Sequence, residues 1–162
     1  MPMITRQMVL DAMQLYIGLP FQYQGRGQVL ADGTRVGVDC IGLVLRVASD
    51  VGMQLEDSAD YQSIADAARL TAELERQLLV IPVADVAPGD VVQWRERTAV
   101  YSPPGNVALV GWQHERLTLV AAILGRGVLE WGFRPPWPAR VTAAYQLPGL
   151  APWLPVVPKE VA

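Results

Sequence analysis

The 162-residue chain contains one cysteine and one histidine. A single cysteine excludes an internal disulfide, and no Cys/His set has zinc spacing, so we expect no structural metal. Charged residues make up 18% of the chain, its formal net charge is -3, and its 13 Lys and Arg are scattered. This charge pattern argues against nucleic acid or an anionic membrane surface as a partner.

Long apolar runs are also missing. No stretch approaches the roughly 18 apolar residues of a membrane span, and the first residues lack the basic-then-apolar layout of a signal peptide. We therefore expect a soluble protein made in the cytoplasm. The glycine pairs at 25/27 and 125/127 lack the Lys-Ser/Thr that follows a phosphate-binding loop, so no cofactor is predicted.

What the chain does have is enough apolar sequence, 51%, to build one domain with a packed core. Helical spacing dominates its first half. Thr5 is the predicted N-cap of a first helix, and the glycine-rich residues 21–37 predict a short hairpin. A buried helix is expected from Cys40 to Gly52, and a third helix over roughly 63–79.

The second half changes to short segments rich in β-branched and aromatic residues, separated by Gly or Pro turns. Five strands are predicted, at VVQW, NVALVGW, LTLVAAIL, GVLEWGF and VTAAYQL. Helices followed by an antiparallel meander indicate an α+β domain, which we place at residues 1–149.

The C-terminal residues 150–162 are Pro-rich and predicted to be an extended arm, because seven of the 13 prolines lie between positions 135 and 158. This arm is either a frayed terminus or a grip on a neighbouring protein. The apolar residues available for such a grip are Trp153, Leu154, Val156 and Val157.

The chain's five tryptophans are divided between two expected environments. Trp94, Trp112 and Trp131 fall in predicted strands and are expected in the core. Trp137 and Trp153 fall in Pro-rich stretches and are candidates for an interface.

The only cysteine, Cys40, follows an acidic residue and opens a predicted helix. A thiol at a helix N-terminus is exposed to the positive end of the helix dipole, which lowers its pKa and favours the thiolate. The alternative is that Cys40 is a small core residue. Asp39 is interpreted as the N-cap of this helix, or else as a modulator of the thiol.

Five segments, in this order, carry a resemblance to a known family. They are GLPFQYQGR (18–26), GVDCIGLV (37–44), PGDVVQW (88–94), NVALV (106–110) and GRGVLE (125–130). Together they resemble the NlpC/P60 family, and most closely its members from bacteriophage tails. The resemblance implies a papain-like fold, in which a catalytic cysteine opens a helix packed on an antiparallel sheet. It also implies cleavage of peptide bonds in peptidoglycan stems.

The same resemblance assigns the other catalytic positions. It makes Cys40 the nucleophile, and it places Asn106 at the family's general-base histidine and Ala121 at the residue that orients this histidine. Phe21 falls at the family's tyrosine, whose hydroxyl helps to stabilise the oxyanion. Since the mechanism needs a base, an orienting group and an oxyanion donor, hydrolysis is predicted to be lost.

The only histidine, His114, is not expected to replace the missing base. It falls in the predicted turn between two strands, eight residues after Asn106, which is on the order of 26 Å along a strand. We therefore expect it at the far end of the sheet from Cys40.

Three functional hypotheses follow. The first is a structural component of a bacteriophage tail tip or baseplate, located in the virion tail and in contact with tail hub proteins through the arm. The second is an active cell-wall cysteine peptidase that uses Cys40 with Asn106, or with a histidine from a neighbouring subunit, and aids phage tail assembly or genome entry. The third is a groove that binds peptidoglycan or a partner peptide without turnover.

Overall fold

The computed structural model describes residues 3–58, 67–95 and 105–154. The helices described there are α1 (Arg6–Gln14), α2 (Cys40–Asp50) and α3 (Ala67–Gln77). The strands are β1 (Leu79–Ile81), β2 (Val91–Arg95), β3 (Gly105–Gln113), β4 (Arg116–Ile123), β5 (Gly127–Gly132) and β6 (Val141–Gln146). Residues 63–66, where the third helix was predicted to begin, lie outside the described part of the chain.

The strands form one antiparallel sheet in the order β1-β6-β2-β3-β4-β5, so the predicted α+β class is confirmed. Among the described residues the sheet has six strands rather than about five. The additional strand, β1, lies where the third helix was predicted to continue: α3 ends at Gln77, and Leu79 pairs with Gln146. The expected meander holds for β2 to β5 only, because β6 returns to pair with β2.

The chain before Cys40 also follows its predicted pattern. Thr5 Oγ1 accepts a hydrogen bond from the Met8 backbone N–H at 3.2 Å, which confirms the N-cap of α1. The predicted hairpin is present as a short ladder, in which the Val36 N–H donates to the Gln28 carbonyl at 2.9 Å.

The sheet buries apolar residues on both of its faces. Val107 and Leu109 belong to the cluster that packs against the helices, whereas their neighbours Ala108 and Val110 belong to a second cluster on the opposite face. This alternation is the period of two expected for a strand that is covered on both sides.

On the face of the sheet away from the helices, three tryptophan rings pack against one another. Trp94 packs edge-on against Trp131 and Trp137, with ring centroids 6.2 and 5.8 Å away. Trp137, which the sequence suggested for an interface, therefore packs within the protein. The guanidinium of Arg140 lies 5.0 Å from the centroid of the Trp137 ring.

A buried ion pair ties the start of α1 to the turn before β2. Arg6 Nη1 donates to Asp90 Oδ1 at 2.8 Å and to the Pro88 carbonyl at 2.8 Å. Asp90 Oδ2 accepts from the Ala87 backbone N–H at 2.8 Å, which stabilises the turn before β2. Burial raises the pKa of Asp90, and these hydrogen bonds oppose that shift.

The start of the predicted arm packs against the domain. Leu150 is buried, and Arg6 Nε donates to the Ala151 carbonyl at 2.8 Å. The Trp153 ring packs against Trp112 with a centroid distance of 5.3 Å. Leu154, by contrast, is 79% exposed. Val156 and Val157 lie outside the described residues.

Within the described part of the chain, each helix is too short or too polar to traverse a bilayer.

Candidate functional site

Asp39 fixes the N-terminus of α2 and so the position of Cys40. Its Oδ1 accepts a hydrogen bond from the Gly42 backbone N–H at 2.7 Å, which confirms the predicted N-cap. Its Oδ2 accepts from the Gln24 backbone N–H at 2.9 Å, and Arg26 Nη1 lies 3.3 Å from Oδ1. The carboxylate therefore fastens the preceding glycine-rich loop to the first turn of the helix.

Three glycines allow that loop to lie directly against α2. The Gly25 carbonyl oxygen occupies the place that a Cβ on Gly42 would need, and the Gly37 carbonyl similarly blocks a Cβ on Gly25. Only glycine permits so close an approach of backbone to backbone. Gly25, Gly37 and Gly42, which belong to three of the sequence motifs, therefore pack against one another beside Cys40.

Cys40 itself is a free, buried thiol. Burial raises its pKa to about 11, and the charge of the neighbouring Asp39 acts in the same direction. The backbone N–H groups of Val107, Ile41 and Cys40 favour the thiolate but do not offset these two effects. The expectation that the helix N-terminus would give a lowered pKa is therefore wrong for this thiol.

Two of the positions predicted from the resemblance, Asn106 and Ala121, lie near the point where the pairing of β3 with β4 ends. The β3–β4 pairing extends from Gln113 opposite Arg116 only as far as Leu109 opposite Val120. Asn106 precedes this paired stretch, directly opposite Trp94 on β2, and is half-buried.

Ala121 lies on β4, opposite Leu129 of β5, and is fully buried in the second apolar cluster. Because Asn106 is opposite Trp94, which belongs to the same cluster, Asn106 and Ala121 share a face of the sheet. Cys40 packs in the cluster on the helical face and meets β3 through the Val107 N–H.

Phe21 is placed near Cys40 by its loop. It forms a parallel bridge with Val38, two residues before the cysteine, and packs on the helix-side core. The structure therefore brings Phe21 to the same side of the sheet as Cys40 but puts Asn106 and Ala121 on the opposite side. The assignment of all three as family positions rests on the motif resemblance and stays a prediction.

His114 lies in the two-residue turn between β3 and β4, as predicted. It is exposed, and both it and Glu115 have positive φ values, 51° and 60°. Val107 is seven residues away along an extended strand, which corresponds to about 23 Å. The chain's single imidazole is thus held at the opposite end of β3 from the Cys40 sulfur.

The sequence did not reveal a cavity of about 120 Å³ between α2 and α3. It borders the Cys40 region, because both Ile41 and Val107 line it. Three of its lining residues, Glu56, Ser58 and Arg69, are exposed, so the cavity reaches the surface. No group of three or more His, Cys, Asp or Glu within 3–58, 67–95 and 105–154 could hold a metal ion.

The proteins that this chain matches are all solved structures, and the similarity is one of fold. No family sequence model and no curated protein matches the chain. An NlpC/P60 family protein from Bacillus cereus superposes with a TM-score of 0.59 at 14% identity over 88% of this chain. A protein similar to an NLP/P60 lipoprotein from Staphylococcus aureus gives 0.55 at 15% identity, also over 88%.

These two structures are much longer than this chain, which spans 40% and 41% of them. The P60 domain of an antigen from M. avium paratuberculosis is closer in size: the alignment covers 88% of this chain and 91% of that domain, with a TM-score of 0.56 at 17% identity. The three helices and the sheet described here therefore adopt the fold of NlpC/P60 proteins.

Proposed function

We propose that the chain is an NlpC/P60 protein that has lost peptide hydrolysis and serves as a structural component of a bacteriophage tail tip. The observation that carries the loss of hydrolysis is the state of Cys40. Its thiol has a pKa of about 11, and the only imidazole of the chain is at the other end of β3.

Hydrolysis by a cysteine nucleophile requires the thiol proton to leave and later to reach the departing amine. At pH 7 a thiol with a pKa of about 11 is almost entirely protonated. Asn106 and Ala121 lie on the opposite face of the sheet from Cys40 and carry no group that could take this proton or orient a base. The sheet residue that does meet Cys40, Val107, has an apolar side chain, and the Phe21 ring has no hydroxyl. General acid–base catalysis is worth typically about 10² to 10⁴-fold. The chain's single imidazole, in the turn between β3 and β4, is not placed to supply it.

The structural role is supported by two further features. The sequence motifs resemble those of bacteriophage tail proteins in particular. The start of the arm is also firmly attached, through Leu150, Ala151 and the Trp153–Trp112 contact, before the exposed Leu154. A segment anchored in this way can carry residues 155–162 to a neighbouring tail hub protein. We accordingly expect the protein in the virion tail.

The test is a truncation after Leu154, made in the phage that encodes the chain. It removes residues 155–162 and keeps Leu150 and Trp153, so the packed part of the arm remains. We expect incomplete tails by electron microscopy and a sharp fall in infectious particles. Met3→Ala, which truncates another exposed apolar residue, is the control. Normal virions from the truncated chain, or virions without this chain by mass spectrometry, would contradict the proposal.

A further inference from the structure

Strand β5 forms one edge of the sheet, and part of that edge is open. The Val128 N–H donates to the Leu19 carbonyl at 2.8 Å, and the Val128 carbonyl accepts from the Gly18 N–H at 2.9 Å, so both groups point away from β4. Backbone groups along an antiparallel strand alternate between its two sides. The N–H and C=O groups of Glu130 and Gly132 therefore also point outward, where no described residue pairs with them.

One face of this open stretch carries apolar side chains. Leu129 lies opposite Ala121 and Trp131 lies opposite Leu119, and both of these partners belong to the second apolar cluster. Phe133 packs against the same cluster. Leu129, Trp131 and Phe133 all remain partly exposed. Unpaired backbone groups beside a row of apolar side chains are a template for pairing with another strand.

On the helical face, Glu130 and Arg134 carry charges that have no counter-ion among the described residues. The Glu130 carboxylate accepts hydrogen bonds from neutral side chains, those of Gln14, Gln113 and Thr118. The exposed Arg134 side chain lies over Gly132, with its Nε 3.4 Å from the position that a Cβ on this glycine would take. A second molecule could therefore supply a counter-ion for each charge.

We propose that this edge pairs antiparallel with the same edge of a second copy of the chain, about a two-fold axis at Trp131. Glu130 of each copy then lies opposite Gly132 of the other, and the two residues exchange their outward backbone hydrogen bonds. The Arg134 side chain, because it lies over Gly132, meets the Glu130 carboxylate of the second copy. On the other face, Leu129 meets the Phe133 ring of the second copy, and the two Trp131 rings meet at the axis.

Neighbouring registers of the two edges are less favourable. A register with Glu130 opposite Glu130 would bring two carboxylates together, which is destabilising. The register shifted the other way would need the Arg134 backbone, whose carbonyl already accepts from the Trp137 N–H at 2.9 Å. At the other end, the segment 18–19 already occupies the edge beside Val128. The pairing is therefore short, and we expect a dimer of modest affinity, whether or not the chain serves in a phage tail.

Sedimentation velocity of the full chain, at concentrations up to about 500 μM, tests the proposal, and we expect a monomer–dimer equilibrium with a Kd in the micromolar range. Gly132→Pro removes an outward N–H without removing a hydrogen bond to β4, so it should weaken dimerisation about tenfold or more. Gly132→Ala keeps this N–H, and its Cβ meets only the flexible Arg134 side chain. It should dimerise as the wild type does.

Arg134→Glu is the second variant, and it keeps the test valid if Gly132→Pro does not fold. It changes an exposed residue and places like charges together, so we expect dimerisation to weaken about tenfold. Arg126→Glu makes the same charge change at an exposed arginine in the turn between β4 and β5 and should have no effect. A monomer at every concentration would overturn the proposal and leave the edge to a different protein. A dimer that neither Gly132→Pro nor Arg134→Glu weakens would overturn it as well.

Discussion

The carboxylate of Asp39 caps helix α2 by accepting the Gly42 N–H at 2.7 Å, and in doing so it holds a negative charge beside the Cys40 thiol. The same interaction that starts the helix thus opposes ionisation of the residue that a cysteine peptidase would need as thiolate. In this protein the cap and the burial of Cys40 outweigh the backbone N–H groups of the helix N-terminus.

Removing the charge of Asp39 while keeping its capping hydrogen bond from the Gly42 N–H should make Cys40 more reactive. Asp39→Asn retains an oxygen that can accept from Gly42, so α2 keeps its cap. We expect the pKa of Cys40 to fall and its alkylation by iodoacetamide at pH 8 to become several times faster. Asp57→Asn, which removes the other carboxylate bound to Arg26, should leave the rate unchanged. Equal rates in the two variants would show that the Asp39 charge does not act on the thiol.

Titration of Cys40 should appear in the stability of the protein at alkaline pH. The pKa of the folded thiol, about 11, lies above the ordinary value of 9.0, so the unfolded chain ionises first. The free energy of unfolding should therefore fall by about 1.4 kcal/mol per pH unit between these two values. Below pH 9 this contribution is fully present, and it is lost as the pH rises toward 11.

The measurement is urea unfolding of the wild type and of Cys40→Ala from pH 8 to 10.5. The variant lacks the titrating thiol, so the difference between the two proteins should shrink as the pH rises. A difference that is independent of pH would mean that the folded thiol has an ordinary pKa.

The contact of the Gly25 carbonyl with Gly42 makes a further prediction. Alanine normally favours a helix over glycine by about 1 kcal/mol. In Gly42→Ala, however, the new Cβ would collide with the Gly25 carbonyl, and we expect a net loss of about 2 to 3 kcal/mol. Gly132→Ala serves as the control, because its Cβ would meet only the flexible Arg134 side chain at ordinary contact distance. Chemical denaturation compares the two, and a stabilised Gly42→Ala would contradict the packing described here.

Removing one partner of the buried ion pair between Arg6 and Asp90 should strongly lower the free energy of unfolding. Arg6→Met leaves the Asp90 carboxylate buried without its counter-ion and frees the Ala151 carbonyl, so we expect a loss of about 3 to 5 kcal/mol. Thr5→Ala removes only a helix cap at the same place and should cost about 1 kcal/mol. Equal losses in the two variants, measured by urea unfolding, would mean that the ion pair does not connect α1 to the sheet.

Local signals explain why much of the fold could be predicted from the sequence. Thr5 and Asp39 are caps whose partners lie three residues away, and β2 to β6 carry strong strand composition with clear turns. Strand β1 was missed because three residues, two of them exposed, give no readable alternation. Its place is set by pairing with β6, more than sixty residues later in the chain.

The site was only partly predictable, for a related reason. The position of Cys40 at the start of α2 follows from local sequence, whereas its raised pKa depends on burial in the helix-side core, which includes residues far away in the chain. The packing of Trp137 and the cavity between α2 and α3 are likewise formed by residues from separate elements. No local sequence pattern could therefore predict either of them.

The most direct test of the lost activity is incubation of the purified protein with peptidoglycan stem peptides, followed by mass spectrometry, with Cys40→Ser as the control. With the thiol protonated and no imidazole within reach, we expect the wild type to release no more product than the control. Cleavage by the wild type that disappears in Cys40→Ser would contradict the account and identify the chain as a working cysteine peptidase.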